Sequence, residues 1–260
     1  NKGYIQDLAL SLDVVAERLK AQPVTDTESW QAFEAWKQQQ RLSEPMIADN
    51  SVDLVISNCV LNLVGESDRK QLVSEIFRVL KPGGRVAISD IVSDEYVPQH
   101  LKEDAVLWSG CISGAFQEQE FLQAFKEAGF AAVAYDKWDA TPWQVVEGFE
   151  FRSVTLTAVK PSAQKNSDIG QAVLYKGPFA EVVDDKGIRY PRGERIAVGQ
   201  QTFNTLTESA YGDAFIAMQA AQASEPSSAC CVEGKPRAAS ALKGGLHSAG
   251  EDTQTSGGCC

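Results

Sequence analysis

The fold is decided by residues 47–93, which read IADNSVDLVISNCVLNLVGESDRKQLVSEIFRVLKPGGRVAISDIVS. An apolar run at 52–57 precedes helical spacing of apolar residues at 68–80 and a second apolar run at 85–92. This order of strand, helix and strand predicts a βαβ unit. The helix is expected to stop at the Lys-Pro-Gly-Gly of 81–84, because proline cannot continue a helix and glycine accepts the backbone angles of a turn.

Polar residues follow the two predicted strands of this unit. Asn58 and Cys59 come at the end of the first strand, and Asp90 lies near the end of the second. Parallel strands joined by a helix belong to an α/β sheet, in which ligands collect at the carboxyl ends of the strands. Asp90 is therefore expected either to orient a substrate or to cap a turn.

Composition excludes several classes of function. The chain has 260 residues, 43% of them hydrophobic, which suits one substantial domain with a smaller appendage. A net charge of -11 argues against nucleic acid or an anionic membrane as partner, because either calls for a basic face. No apolar run approaches the roughly 20 residues that span a bilayer. With two histidines, a His-rich metal site or a Ser-His-Asp triad has little material.

The regions around the βαβ unit have simpler patterns. Residues 3–8 are expected to form the end of a strand and its loop, and residues 10–42 a helical tract broken near Pro23. Trp30, Phe33 and Trp36 share one side of that tract, which favours a core-packing or lid helix over a ligand-binding aromatic cluster. After Ser93 we expect a loop of small residues around Cys111, an amphipathic helix at 117–129, and two antiparallel strands at 131–138 and 149–159.

The remaining chain predicts a second domain and a tail. We divide the sequence into a first domain at 1–160, a linker at 161–170, a small β-rich domain at 171–218 and a disordered tail at 219–260. The tail carries two cysteine pairs, Cys230-Cys231 and Cys259-Cys260.

The six cysteines have the spacing of neither a disulfide framework nor a zinc finger, so a reducing cytoplasm is the expected compartment. Taken singly, Cys59 and Cys111 are each expected to be small hydrophobic residues of the core. Taken together, they offer two soft thiolates to a thiophilic ion. The tail pairs offer soft ligands for metals or metalloids as well, or have no such role.

Five segments resemble the arsenite methyltransferases that use S-adenosylmethionine, and they occur in the family's order. They are GYIQDL at 3–8, IADNSVDLVISNCVLNL at 47–63, FRVLKPGGRVAISDIV at 77–92, LWSGCISGAF at 107–116 and DDKGIRYPRGERIAV at 184–198. The resemblance implies an α/β fold: a partial seven-stranded class I methyltransferase (Rossmann-like) domain lacking its first strands, followed by the small β-rich C-terminal domain and the disordered tail. The chain begins at Asn1 and contains no glycine-rich cofactor loop. We therefore expect that loop, the first strands and the family's further cysteines to lie upstream.

The resemblance also implies roles for particular residues. Cys59 and Cys111 match the cysteines that bind trivalent arsenic. Ile5 and Gln6 match a loop that contacts the adenine, where the family usually has glutamate in place of Gln6, and Asn58 matches a position beside the cofactor. Residues 10–46 match nothing in the family and are interpreted as an insertion.

The implied activity is arsenite methylation in arsenic detoxification, with S-adenosylmethionine as cofactor. The implied partners are arsenite or its thiol conjugates and a thiol reductant, thioredoxin or glutathione, with the protein acting as a cytoplasmic monomer. Trivalent arsenic has a lone pair that can attack an electrophilic methyl group, so no general base is needed. Two alternatives remain: a methyltransferase for another small molecule, in which the two cysteines are merely buried, and a non-catalytic metalloid-binding protein that uses the tail pairs.

Overall fold

The computed structural model describes residues 2–162, 167–208, 211–219 and 233–242. The chain divides into two compact units, Asn1–Ala163 and Gln164–Cys260. The boundary between them falls inside the predicted linker.

The first unit is a mixed α/β domain. Its elements, in chain order, are α1 Leu12–Ala21, α2 Thr27–Ser43, β1 Val52–Asn58, a 3₁₀ turn at Leu61–Leu63, α3 Glu66–Val79, β2 Leu80–Ser93, α4 Gln99–Lys102, α5 Ala105–Ser109, β3 Phe116–Gln117, α6 Glu118–Glu127, β4 Ala131–Trp138, β5 Gln144–Val146 and β6 Phe149–Val159.

The βαβ unit is confirmed. β1 and β2 are parallel, with Val55 opposite Val86 and Asn58 opposite Ser89, and α3 connects them. β6 lies between β2 and β4 and is antiparallel to both, which gives the order β1-β2-β6-β4. β3 pairs in parallel with the carboxyl end of β2, and β5 pairs in antiparallel with the start of β6. The carboxyl ends of β1 and β2 therefore lie side by side.

Burial of one face of α3 holds the unit together. Leu72, Val73 and Ile76 are almost fully buried and pack in one core with Val86 and Ile88 of β2. Burying side chains of this size stabilises the fold by about 1.5–3 kcal/mol each. The helix ends at Val79, as predicted, but β2 begins at once at Leu80 and includes the Lys-Pro-Gly-Gly of 81–84, where a turn was predicted. The pairing with β1 shifts register across this segment, and Gly83 has a φ of 82°.

β1 is less buried than its sequence predicts. Leu54 and Ile56 are 47% and 71% exposed, and they lie on the same face because side chains alternate along a strand. Within the described residues β1 is an edge strand, with β2 as its neighbour. An apolar run identifies a strand, but the elements that cover the strand decide its burial.

The helical tract before the βαβ unit forms two helices, as predicted from Pro23. Asp26 caps α2, its carboxylate accepting the backbone N–H of Ser29 at 2.8 Å. Phe33 is buried, and the partly buried Trp36 stacks on it with ring centroids 5.8 Å apart, whereas Trp30 is half exposed. The core-packing interpretation therefore fails for Trp30.

The segment that contains α1 and α2 begins and ends at neighbouring points of the first unit. The backbone N–H of Ile47 donates to the carbonyl of Leu8 at 3.0 Å. The segment between Leu8 and Ile47 therefore starts and ends at adjacent points of the domain. That residues 10–46 are an insertion stays a prediction. Residues 3–8 were expected to form the end of a strand and its loop. The strand is wrong, because the backbone pairs with itself in an isolated bridge between Tyr4 and Asp7, and the segment is a turn.

The second unit is rich in β structure. Its described elements are β7 Ala172–Tyr175, β8 Glu181–Val183, β9 Arg189–Pro191, β10 Arg195–Ala197, α7 Gln200–Glu208, a 3₁₀ turn at Gly212–Ala214, β11 Phe215–Met218 and a 3₁₀ turn at Ala239–Ala241. β10, β7 and β11 form an antiparallel sheet, and β8 pairs with β9. Tyr190, Ile196 and Phe203 belong to its core.

Part of the predicted tail is ordered against this sheet. The backbone N–H groups of Ala197 and Arg237 bond to the carbonyls of Lys235 and Arg195, at 2.8 and 2.7 Å. The side chain of Arg237 forms an ion pair with Asp168 at 2.5 Å. The predicted disorder of 219–260 therefore does not extend over 233–242. These residues are held by backbone hydrogen bonds to β10, which their weakly apolar composition does not reveal.

Candidate functional site

The first cysteine of the site lies where β1 leaves the sheet. The backbone N–H of Cys59 donates to the carbonyl of Ser89 at 2.9 Å, which continues the β1–β2 pairing by one residue. Cys59 then takes a φ of 52°, in the left-handed region that few non-glycine residues adopt. This turns the chain out of the sheet into the 3₁₀ turn at Leu61–Leu63 and leaves the cysteine exposed.

Asp90 holds this turn from the neighbouring strand. Its carboxylate is 2% exposed and accepts the backbone N–H groups of Leu61, Asn62 and Ile91 at 3.0, 3.4 and 2.9 Å. Burial raises the pKa of this carboxyl although the amide donors oppose the shift. Of the two roles predicted for Asp90, the structure shows the capping of a turn.

Asn62 connects this turn with the loop of the second cysteine. Its side chain is buried, and its Nδ2 donates to the carbonyls of Ile91 at 2.6 Å and Cys111 at 3.2 Å. The Cys111 loop approaches so closely that a Cβ on Gly114 would lie 1.8 Å from the carbonyl oxygen of Asn62. Arg69 adds a second bridge, donating to the carbonyls of Val64 and Gly114 at 3.4 and 2.5 Å.

The two predicted arsenic-binding cysteines are brought together. The Cys111 thiol lies 3.8 Å from the carbonyl oxygen of Cys59, and both cysteines are free. Cys111 also has a positive φ, of 62°. It packs against a hydrophobic cluster that includes the buried Ile112. Cys59 is exposed, so its interpretation as a small residue of the core is not supported. Cys111 is partly exposed and packs against a core cluster, so this interpretation holds for it in part.

Both thiols are harder to ionise than a free cysteine. Burial raises the pKa of Cys59 and of Cys111, and the Asp90 carboxylate raises both further. For Cys111 the neighbouring Cys59 adds to the shift. An ion that binds the thiolates must therefore offset the cost of removing these protons.

The residues predicted to contact the cofactor are spread over two elements. Asn58 lies exposed at the carboxyl end of β1, next to Ser57, whose buried Oγ has no hydrogen-bond partner. Gln6 donates to the Asp68 carboxylate in the first turn of α3 at 3.5 Å, and Ile5 packs against the core. The orphaned Ser57 hydroxyl at a strand end suits a polar ligand of the kind expected there.

Other expectations are limited by what the structure describes. Cys230, Cys231, Cys259 and Cys260 lie outside the described residues. Within the described part, no cluster of three or more Cys, His, Asp or Glu side chains is arranged to hold a metal ion. Among the helices that the structure describes, none has the length and apolar character needed to span a membrane.

Sequence reasoning missed Asn62, Arg69 and the bridging role of Gly114. Asn62 and Gly114 lie inside the two segments that carry the family resemblance, SNCVLNL and LWSGCISGAF. That position is a usable signal, since a polar residue in an apolar run is often buried with a defined partner. Arg69, in the polar first half of α3, has no such signal.

Comparison with known proteins agrees with the geometry. A family model described as a methyltransferase domain matches residues 31–129, and a domain of unknown function, DUF8838, matches residues 162–247. Arsenite methyltransferase of Mus musculus is 30% identical over 186 residues, 68% of this chain and 49% of that protein. Arsenite methyltransferase of Halobacterium salinarum is 45% identical over 87 residues, 34% of this chain and 22% of that protein.

A solved structure is also similar, the arsenic(III) S-adenosylmethionine methyltransferase from Chlamydomonas reinhardtii. The two chains are 28% identical where they align, and the alignment covers 71% of this chain and 65% of the Chlamydomonas reinhardtii chain, with a TM-score of 0.46. The chain spans about half the length of the curated relatives it matches. The matched methyltransferase domain and the sheet order confirm the predicted class I methyltransferase type of α/β fold, and the resemblance to arsenite methyltransferases is confirmed.

Proposed function

We propose that this chain, which is related in sequence to the arsenite methyltransferases, carries the arsenic-binding part of an enzyme that methylates trivalent arsenic with S-adenosylmethionine. The observation that supports this most is the approach of Cys59 and Cys111, which lie 52 residues apart in the chain and have a thiol-to-carbonyl distance of 3.8 Å. Thiolates are the ligands that soft, thiophilic ions prefer.

The chemistry needs few other groups. Bound S-adenosylmethionine would supply an electrophilic methyl on a sulfonium sulfur that ends as a neutral thioether. The arsenic lone pair forms the new As–C bond as the C–S bond breaks, so arsenic is oxidised from the trivalent to the pentavalent state. Cys59 and Cys111 hold the arsenic in place, and positioning of this kind can lower a barrier by about 7–11 kcal/mol. No proton is removed in the transfer, so the step needs no general base.

Asn58 and the unpartnered Ser57 hydroxyl are the polar groups that we assign to the cofactor side of the site, with Ile5 and Gln6 assigned to the adenine. The orphaned hydroxyl supports this assignment. Gln6 already bonds to Asp68, so its contact with an adenine requires that this 3.5 Å bond be shared or broken.

The proposal extends to partners and compartment. A thiol reductant, thioredoxin or glutathione, returns the two electrons that pentavalent arsenic requires to regain its lone pair. We propose a cytoplasmic location, which the free thiols of Cys59 and Cys111 support because thiols stay reduced in that compartment. We propose that it acts as a monomer in arsenic detoxification, with the tail cysteine pairs as additional arsenic ligands.

The test is S-adenosylmethionine-dependent methylation of arsenite, with a thiol reductant, by the longest reading frame that contains this chain. Cys59→Ser and Cys111→Ser are expected to abolish methylation. Replacement of the four tail cysteines by serine is the comparison variant: as the loss of additional ligands, it is expected to weaken arsenite binding without abolishing methylation. Normal turnover in the Cys59→Ser, Cys111→Ser double variant would overturn the proposal. Arsenite binding without any methylation by the unaltered protein would instead favour a metalloid-binding protein.

A further inference from the structure

The side chain of Asn62 is a buried amide held between two carbonyl groups. It is 1% exposed, and its Nδ2 carries both hydrogen bonds, to Ile91 at the end of β2 and to Cys111 in the facing loop. Two carbonyl acceptors settle the orientation of the amide, because only the NH₂ group can donate to both. Its Oδ1 is buried without a hydrogen-bond partner.

Leaving a polar atom unsatisfied in the interior is unfavourable, and an aliphatic side chain at this position would avoid it. The two hydrogen bonds that the Asn62 amide donates offset this unfavourable burial. One of them ends on the backbone of Cys111, a cysteine assigned to arsenic, and Asn62 itself belongs to the turn at Leu61–Leu63 that follows the other, Cys59.

The backbone of Asn62 reinforces the same connection. Its N–H bonds to the Asp90 carboxylate, and its carbonyl oxygen packs against Gly114, three residues beyond Cys111. Arg69 also joins the two segments, but it bonds to the carbonyl of Gly114 and not to either cysteine. Asn62 therefore joins the turn that follows Cys59 to the backbone of Cys111 itself, beside the 3.8 Å contact of the Cys111 thiol with the Cys59 carbonyl.

We propose that Asn62 is a positioning residue that fixes the separation of the Cys59 and Cys111 thiols, so that both bind one trivalent arsenic. This inference rests on the proposed function. Chelation by two groups gains affinity over binding by one only when their geometry allows simultaneous engagement. Loss of the Asn62 bridge therefore weakens two-thiol binding while each thiol keeps its own reactivity.

The test uses the full chain with its four tail cysteines replaced by serine. The variants are Asn62→Asp, which keeps the size but replaces the donor by a carboxylate facing two carbonyls, and Asn62→Ser, whose single hydroxyl donor can satisfy one carbonyl at most. Ile76→Val in α3 is the control, a mild change of the core on which the site rests that leaves every hydrogen bond of Asn62 in place. Tryptophan fluorescence verifies folding, and Asn62→Ser decides the outcome if Asn62→Asp does not fold.

Two probes separate positioning from a general loss of structure. Phenylarsine oxide, a trivalent arsenical that takes two thiols, measures chelation, and iodoacetamide measures each thiol alone. We expect the Asn62 variants to lose about tenfold or more in affinity for phenylarsine oxide, with alkylation rates within about twofold of the parent and Ile76→Val unaffected in both. Unchanged phenylarsine oxide affinity, or equal losses with both probes, would overturn the inference. Failure of the parent to bind phenylarsine oxide would refute the proposed function instead.

Discussion

Replacing Gly114 by alanine tests whether the two cysteine loops are held by direct backbone contact. The added Cβ would lie 1.8 Å from the carbonyl oxygen of Asn62 and 2.9 Å from its carbonyl carbon. Real Cβ atoms keep at least about 3 Å from such atoms, so one loop must move by more than about 1 Å. The Asn62 backbone is itself held by Asp90 and cannot yield freely. We expect a loss of about 3 kcal/mol in the free energy of unfolding, the upper part of the range for overpacked sites.

Urea denaturation followed by tryptophan fluorescence measures this loss in the first unit, because all five tryptophans of the chain lie there, namely Trp30, Trp36, Trp108, Trp138 and Trp143. With a slope of about 2 kcal/mol per molar, the midpoint falls by about 1.5 M. Gly110→Ala is the matched control: it lies in the same loop, its Cβ would meet its nearest neighbour at 3.5 Å, and its midpoint should stay within about 0.3 M. Equal midpoints for Gly114→Ala and the parent would refute the close contact.

Two further predictions concern titration and the second unit. Because burial raises the pKa of the Cys59 and Cys111 thiols, folded protein should react with iodoacetamide more slowly than unfolded protein near pH 8.5, and its stability should fall as pH rises past the ordinary thiol range. Asp90→Asn removes a negative charge and should lower both pKa values; peptide mapping of alkylation against pH would contradict this if the midpoints stayed or rose. Tyr190→Phe removes a buried hydrogen bond to Asp184 of 2.8 Å, which is worth about 1 kcal/mol, so amide exchange in β8–β10 should accelerate about fivefold; unchanged exchange would count against it.

The βαβ unit was predictable because its signals are local. Helical spacing, the run of apolar residues and the Lys-Pro-Gly-Gly stop each act within a few residues. The observed bounds of α3 follow them closely, whereas β2 begins at Leu80, five residues before its predicted start. Residues 3–8 show the opposite case. Their apolar character fits a strand, but a strand exists only with a pairing partner, and here the segment pairs with itself between Tyr4 and Asp7.

The two cysteines of the candidate site were also identified from the sequence, through the segments that surround them. Their approach was an expectation from topology and resemblance, since residues 59 and 111 are joined by no local pattern. The groups that hold them were not predictable. The bonds of Asn62 to Ile91 and Cys111 span 29 and 49 residues, and such contacts form only after the sheet has placed β2 beside the turn.

By itself, the sequence determined the α/β class, the bounds of the central helix, the order of the strands around it, the two candidate arsenic ligands and the acidic net charge of the chain. These properties follow from side-chain chemistry and short-range backbone preferences. Only the tertiary structure decided that Asp90 caps a turn, that Cys59 is exposed, and that Asn62 joins the loops of the two cysteines. Burial and hydrogen bonding between distant segments depend on which elements pack together, and no local pattern encodes that choice.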